Sequence, residues 1–265
     1  MATTDLELER IAALGWRAAE TAPLGDWRLR ASGGFTGRAN SALAIGEPGR
    51  PIEAAISAVE DWYSSRGLPP RFMLPLPHAA ELDAELGQAG WEAFDEVRVL
   101  VIDIDRLTAA ATGPALSTGG GTPDRVVRID PRPDRAWLDG YHYRGAELPS
   151  QAVDVIVRGD VLGFASVRDE QGRVLAISRG SVDRGWLGIT AVEVDSAHRR
   201  QGLAGAVMTA LAEWAALNGA SHCYLQVAVE NDAALALYGA AGFEDHHRYR
   251  YRIMRRQSRD TDMPN

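Results

Sequence analysis

The sequence contains no lysine. All 28 basic residues are arginine, which reads as the codon bias of a GC-rich genome before it reads as function. Cysteine occurs once, as Cys223, so there is no intramolecular disulfide and no cysteine-rich zinc site, in keeping with a reducing compartment. A lone cysteine in a β-rich run is expected to be a small core residue rather than a nucleophile. No apolar run approaches the roughly 20 residues of a membrane-spanning helix. The opening MATTDLELER has neither the basic nor the apolar region of a secretory leader. These absences lead to the expectation of a cytoplasmic protein that engages no membrane. A basic excess is missing too: the net charge is -8, with 10 Arg against 17 Asp plus Glu in residues 1–107 and 18 against 19 beyond. Neither half has the footprint of a nucleic-acid binder.

At 265 residues, 46% hydrophobic and 24% charged, the chain has the size and composition of two soluble domains. The stretch TAAATGPALSTGGGTPD, residues 108–124, loses all hydrophobic periodicity and reads as a linker between domains at 1–107 and 125–256, with a disordered tail at 257–265. The first half patterns as a helix over 4–20, strands near 27–30 and 39–45, a helix over 52–65, a strand at 71–74, a helix over 81–89 and a strand at 96–104. The second half patterns as a strand at 125–130, a helical region to about residue 157, and an antiparallel meander at 161–168, 173–182 and 186–194. A helix over 202–218, a β-rich run SHCYLQVAV, a helix over 233–241 and a final strand region through 252 complete it. Both halves are α/β.

Two motifs in the second half carry chemistry. In VEVDSAHRRQGLAGAV a strand runs into RRQGLA, residues 199–204, and then into an amphipathic helix. Gly202 and Ala204 let backbone amides approach a ligand closely at a helix N-terminus, whose dipole favours an anion such as a diphosphate; Arg199 and Arg200 add attraction. The second motif, NDAALALYGAAGF at 231–243, follows a strand and closes with Gly242 at a helix end. Taken together, from about Trp186 to Phe243, the two resemble the GNAT acetyltransferase superfamily.

The resemblance implies a GNAT fold, a mixed and mostly antiparallel central sheet flanked by helices, and acetyl-CoA as acyl donor. It implies that Val192 and Val194 lie on the strand that offers backbone groups to the pantetheine arm, with an amide near Val194 as oxyanion donor. The amides of Arg200, Gln201, Gly202, Leu203 and Ala204 would hold the pyrophosphate, Asn231 would touch the cofactor from the opposite side, and Tyr238 would protonate the departing thiolate. The acceptor is expected to be a primary amine of a small molecule or a protein N-terminus, attacked in a ternary complex. The alternative is a non-catalytic acyl-CoA sensor or scaffold.

The base is less legible. Some relatives carry a glutamate where this chain has Gln226, which cannot hold a proton. Glu193 is the candidate because strand alternation points it away from Val192 and Val194; a solvent-facing carboxylate is the competing reading. His198, in the loop facing phosphate, is the weaker candidate. Tyr141, Tyr143, Arg144 and Glu147 of YHYRGAE are candidate acceptor contacts, with half-exposed packing as the alternative. His246 and His247 are adjacent on a strand, so alternation sends them to opposite faces and no metal is expected. In the first half, SGGFTGRANS at 32–41 lacks the closing residues of a nucleotide P-loop and is either a hairpin turn or a loop over the other domain's cleft. Gly90 and Trp91 stand where Gly242 and Phe243 stand later, which suggests a degenerate first copy of the same unit, GNAT-like, in tandem. The expected assembly is a monomer or homodimer.

Overall fold

The computed structural model describes residues 3–110, 126–143 and 145–254. Helix α1 (Asp5–Gly15) starts at Thr4, whose hydroxyl accepts from the Glu7 amide at 3.2 Å, with Asp5 and Glu7 placing acidic charge on the first turn. The helix ends before the expected residue 20. Trp16 leaves helical geometry and buries its indole, which donates to Thr36 Oγ1 at 2.9 Å. The freed residues make a strand that the pattern did not show, β1 (Glu20–Leu24), because Pro23 interrupts the signal and is tolerated at the sheet edge.

There follow β2 (Trp27–Ala31), β3 (Ala42–Leu43), α2 (Ile52–Ser64), β4 (Arg71–Leu76), α3 (Ala80–Gln88), β5 (Glu92–Asp103) and α4 (Ile104–Ala110). Residues 108–110 of the expected linker thus close a helix; the rest of that linker and the tail at 257–265 lie outside the described residues. The second half contains β6 (Val127–Asp130), short helices α5 (Arg135–Asp139) and α6 (Ala152–Ile156), and the meander β7 (Leu162–Arg168), β8 (Val174–Asp183) and β9 (Trp186–Val194). It closes with α7 (Leu203–Leu217), β10 (His222–Ala228), α8 (Asp232–Ala240) and β11 (Glu244–Ile253).

All the strands join one sheet, in the order β1-β2-β3-β4-β11-β5-β10-β9-β8-β7-β6. Only β3/β4 and β9/β10 are parallel. The order is symmetric about the β11/β5 seam: each half presents a meander, a strand, a helix, a parallel strand, a helix and a last strand, and the two last strands exchange places. Strand β5 therefore separates β10 from β11, and Leu100, Ile102, Ile104 and Leu107 of the first half fill the core beneath α7. The duplication extends to the helix ends. The amides of Trp91 and Phe243 reach back to Leu86 O and Tyr238 O at 2.9 and 3.0 Å, with Gly90 and Gly242 at φ +86° and +91°. The copies differ where α2 starts, since Pro51 at its N-cap cannot donate a hydrogen bond.

Helices α4, α7 and α8 bury one face of the second half, while α1 crosses the opposite face at the centre of the sheet and α5 and α6 cover it further out. Alternation fails near the start of β11. Asp245 pairs with Leu100 and His247 with Val99, so His246 is an extra residue in a β-bulge. Both imidazoles consequently turn toward α1, contrary to the expectation that they face opposite ways: His246 Nε2 lies 3.0 Å from Thr3 O, and His247 Nε2 lies 2.8 Å from Glu9 Oε1.

Candidate active site

Strands β9 and β10 pair from Trp186/His222 as far as Ile189/Leu225 and then separate, although both continue to Val194 and Ala228. On its other side β9 keeps its pairing with β8 through a bulge, where Ala191 takes φ +53° and two residues oppose one. The bulge resets the alternation. Val192 and Val194 pack on the α7 core, while Glu193 points to the opposite face, as strand geometry required. An edge of backbone from Thr190 to Val194 is left without a strand partner inside the sheet.

The strand end feeds the loop that starts α7. Asp195 accepts from the Ala197 amide at 3.0 Å and from His198 Nδ1 at 2.9 Å, so His198 holds the loop rather than facing the cleft as a base. Arg199 and Arg200 are exposed. Arg200 and Gly202 both take left-handed φ, +61° and +75°. Helix α7 then begins with no side-chain cap and no acid in its first turn. Its first amides are therefore available to an anion, and the residues present fit a diphosphate. Leu203 is buried in the core and Ala204 is half-buried.

Tyr238 faces the same core from α8. It is 9% exposed, stacks edge-on to Phe243 at 5.8 Å, and burial pushes its hydroxyl up to about 12. That hydroxyl has no hydrogen-bond partner among the described residues. Asn231 caps α8, its Oδ1 accepting from the Ala234 amide at 3.1 Å, and its exposed side chain sits at the β10 end of the opening. Cys223 is fully buried, as its pattern suggested.

On the opposite face, Glu193 lines a cleft of about 690 Å³ with His142, Asp139, Arg173 and Arg199. Burial raises its carboxyl above the ordinary glutamate range, partly opposed by His142 and Arg199. The residues of 141–147 do not act as one group. Tyr141 is core, 6.1 Å from the Trp137 ring. Glu147 is exposed beside a separate recess, and Arg144 lies outside the described residues. Tyr143 alone turns toward a second cleft of about 380 Å³, lined by Gly34, Arg38, Arg71, Asp95, Gln226, Tyr249 and Tyr251.

Arg38 and Arg71 were not singled out from the sequence. The loop 32–41 packs over this cleft, with Phe35 edge-on to Tyr143 at 5.3 Å, and Arg38 Nη1 donates to Gln226 Oε1 at 3.1 Å. Neither arginine is in an ion pair among the described residues, and Arg71 Nε and Gln226 Nε2 are buried without a partner. Arg38 lies in the loop that the sequence allowed to pack over the other domain's cleft, whereas no motif marks Arg71.

A parallel strand pair that opens in front of an uncapped helix N-terminus defines a GNAT fold, and the comparison with solved structures agrees. The tandem GNAT protein from the clavulanic acid biosynthesis pathway superposes with a TM-score of 0.63 at 15% identity, covering 94% of this chain and 87% of that one. A GCN5-related N-acetyltransferase from Kribbella flavida gives 0.62 at 18%, over 95% and 96%. The family model described as "Probable histone acetyltransferase Rv0428c C-terminal" matches residues 3–252, and the chain belongs to that family of GNAT acetyltransferases. The "Uncharacterized N-acetyltransferase YobR" of Bacillus subtilis (strain 168) is 29% identical over 94% of this chain and 98% of its own length. The "Probable histone acetyltransferase Rv0428c" of Mycobacterium tuberculosis (strain ATCC 25618 / H37Rv) is 30% identical over 92% of this chain and 72% of its own. Among the described residues no helix is long and apolar enough to cross a membrane.

Proposed function

We propose that the protein transfers the acetyl group of acetyl-CoA to a primary amine that also carries an anionic group. The observation that carries the donor half is the uncapped start of α7 behind Arg200 and Gly202, set beside the open edge of β9. When bound there, acetyl-CoA supplies an activated acyl carbon. The amides of residues 200–204 would hold its diphosphate, and the backbone of Val192 and Val194, which has no strand partner on the β10 side, would align its arm. Glu193 takes the proton that an amine must lose before its lone pair can attack; a carboxylate with a raised pKa is better matched to that task. Tyr238, on the other face of the opening, supplies a proton to the leaving thiolate.

The acceptor half rests on the cleft holding Arg38 and Arg71. Two cations without a carboxylate partner among the described residues, together with buried donors on Arg71 and Gln226, favour a carboxylate or phosphate on the acceptor. A lysine-rich peptide, which the name of the mycobacterial relative would suggest, meets arginine there instead. A turnover screen over amino acids, amino sugars with phosphate, polyamines and histone-tail peptides, reading free thiol, tests this. Anionic amines should give the highest kcat/KM, and Arg71→Ala should raise their KM by about 10- to 100-fold while sparing that of acetyl-CoA. Preference for polyamines or basic peptides would reject the anionic acceptor.

Glu193 also makes a stability prediction. A carboxyl whose pKa is raised on folding favours the folded state below its unfolded pKa, and that contribution is lost as pH rises through the folded value. Glu193→Gln should therefore melt higher than the parent at pH 8, and the gain should vanish on acidification below about pH 4. A variant that melts lower at pH 8 would show that Glu193 serves the fold.

A further inference from the structure

The first helix and the last strand meet at a histidine cluster that acetyl transfer leaves unused. In it His246 Nδ1 lies 2.8 Å from His247 Nδ1 and 3.4 Å from Asp5 Oδ1. The outer nitrogens are committed. Thr3 O can only accept, so His246 Nε2 donates to it at 3.0 Å, and the Glu9 carboxylate accepts from His247 Nε2 at 2.8 Å. Two neutral rings held in this way turn bare Nδ1 lone pairs on each other. Lone pairs do not sit at 2.8 Å unless something positive lies between them.

We propose that His246 Nδ1, His247 Nδ1 and Asp5 Oδ1 bind a divalent transition-metal ion of the zinc class, with a fourth position open to water. All three atoms lie within 4.8 Å of one another. Ligands of a tetrahedral zinc ion sit about 3.3 Å apart, given metal–ligand bonds of about 2.0–2.1 Å. The His246–Asp5 spacing already matches, and the imidazoles need only part by about half an ångström, a small ring rotation. The surroundings favour a metal over a bridging proton. Each imidazole donates its remote N–H to an oxygen, one a backbone carbonyl and the other a carboxylate, the arrangement that fixes metal-binding histidines and makes them better ligands. Asp5 is anchored as well, its Oδ2 lying 3.2 Å from His78 Nε2. The β-bulge at His246 has a purpose on this reading, since without it the rings could not share a ligand. The ion would clip α1 onto β11, joining the two ends of the chain across the exchanged strands.

The test uses full-length protein without a histidine tag, stripped with chelator and titrated with Zn²⁺ by calorimetry and with Co²⁺ by visible absorption. The expected results are one equivalent bound, the absorption of tetrahedral Co²⁺, and a higher Tm with zinc. His247 is buried, so the variants are placed on half-buried neighbours: His246→Gln and Asp5→Asn should abolish the Tm rise. Glu9→Gln should weaken binding about 10- to 100-fold. Unchanged acetyl-CoA binding in each variant certifies the fold and keeps this result separate from the acetyl-transfer reading. No stoichiometric binding at zinc far above the protein concentration would overturn the site and leave a shared proton between the rings, visible by imidazole NMR. Binding undiminished in His246→Gln would also overturn it.

Discussion

In Tyr238→Phe, kcat falls by about one to three orders of magnitude while acetyl-CoA affinity changes by less than roughly tenfold. The residue is buried, its ring packs on Phe243, and its hydroxyl has no other partner among the described residues. Phenylalanine keeps the packing and removes only the hydroxyl. An acid of this kind acts in the transition state, so the loss belongs in kcat and not in ground-state binding. Its hydroxyl, held at about 12 by burial, stays protonated across the neutral range and is ready to donate. The measurement is a steady-state comparison with an acceptor from the screen, under conditions where chemistry limits turnover. A kcat within about twofold of the parent would make Tyr238 a packing residue, and the non-catalytic acyl-CoA sensor would become the better reading.

Gly202→Val should weaken acetyl-CoA binding by about a hundredfold or more, the equivalent of losing one or two charge-assisted amide bonds. Gly202 occupies the N-cap of α7 at φ +75°, a region that β-branched residues avoid. Valine must therefore either turn the first amides of α7 away from the diphosphate or cover them with its side chain. Calorimetry on the folded variant, with Gly202→Ala as the milder companion, reads the effect. Unchanged affinity in folded Gly202→Val protein would remove the diphosphate from this loop. Tyr238→Phe and Gly202→Val separate the two halves of the chemistry, because the first spares binding and the second removes it.

Much of the local geometry of this candidate site was legible because its signals are local. RRQGLA and NDAALALYGAAGF each span a single turn or helix, and the alternation that aims Glu193 away from Val192 and Val194 holds once the bulge at Ala191 is allowed for. Repeated cues at Gly90–Trp91 and Gly242–Phe243 disclosed the duplication for the same reason: a left-handed glycine closing a helix ahead of a buried aromatic is a short-range pattern. The misreadings were also short-range. Pro23 hides β1 from the alternation pattern, and the helical pattern that runs on to residue 20 is cut short at Trp16, whose burial against Thr36 ends α1.

The amino-acid sequence alone determined most of the elements, the turn that starts α7, the place of Tyr238 on α8 and the repeated helix ends, since each depends on the conformational preferences and hydrophobic period of neighbouring residues. Tertiary structure alone decided which strands pair. Hydrophobic alternation states which face of a strand is buried but not which partner lies beside it, so the exchange of β5 and β11 across the seam left no trace in the pattern. The same holds for Arg38, which meets Gln226 across 188 residues of chain, and for His246, which a single extra residue in the register turns toward Asp5.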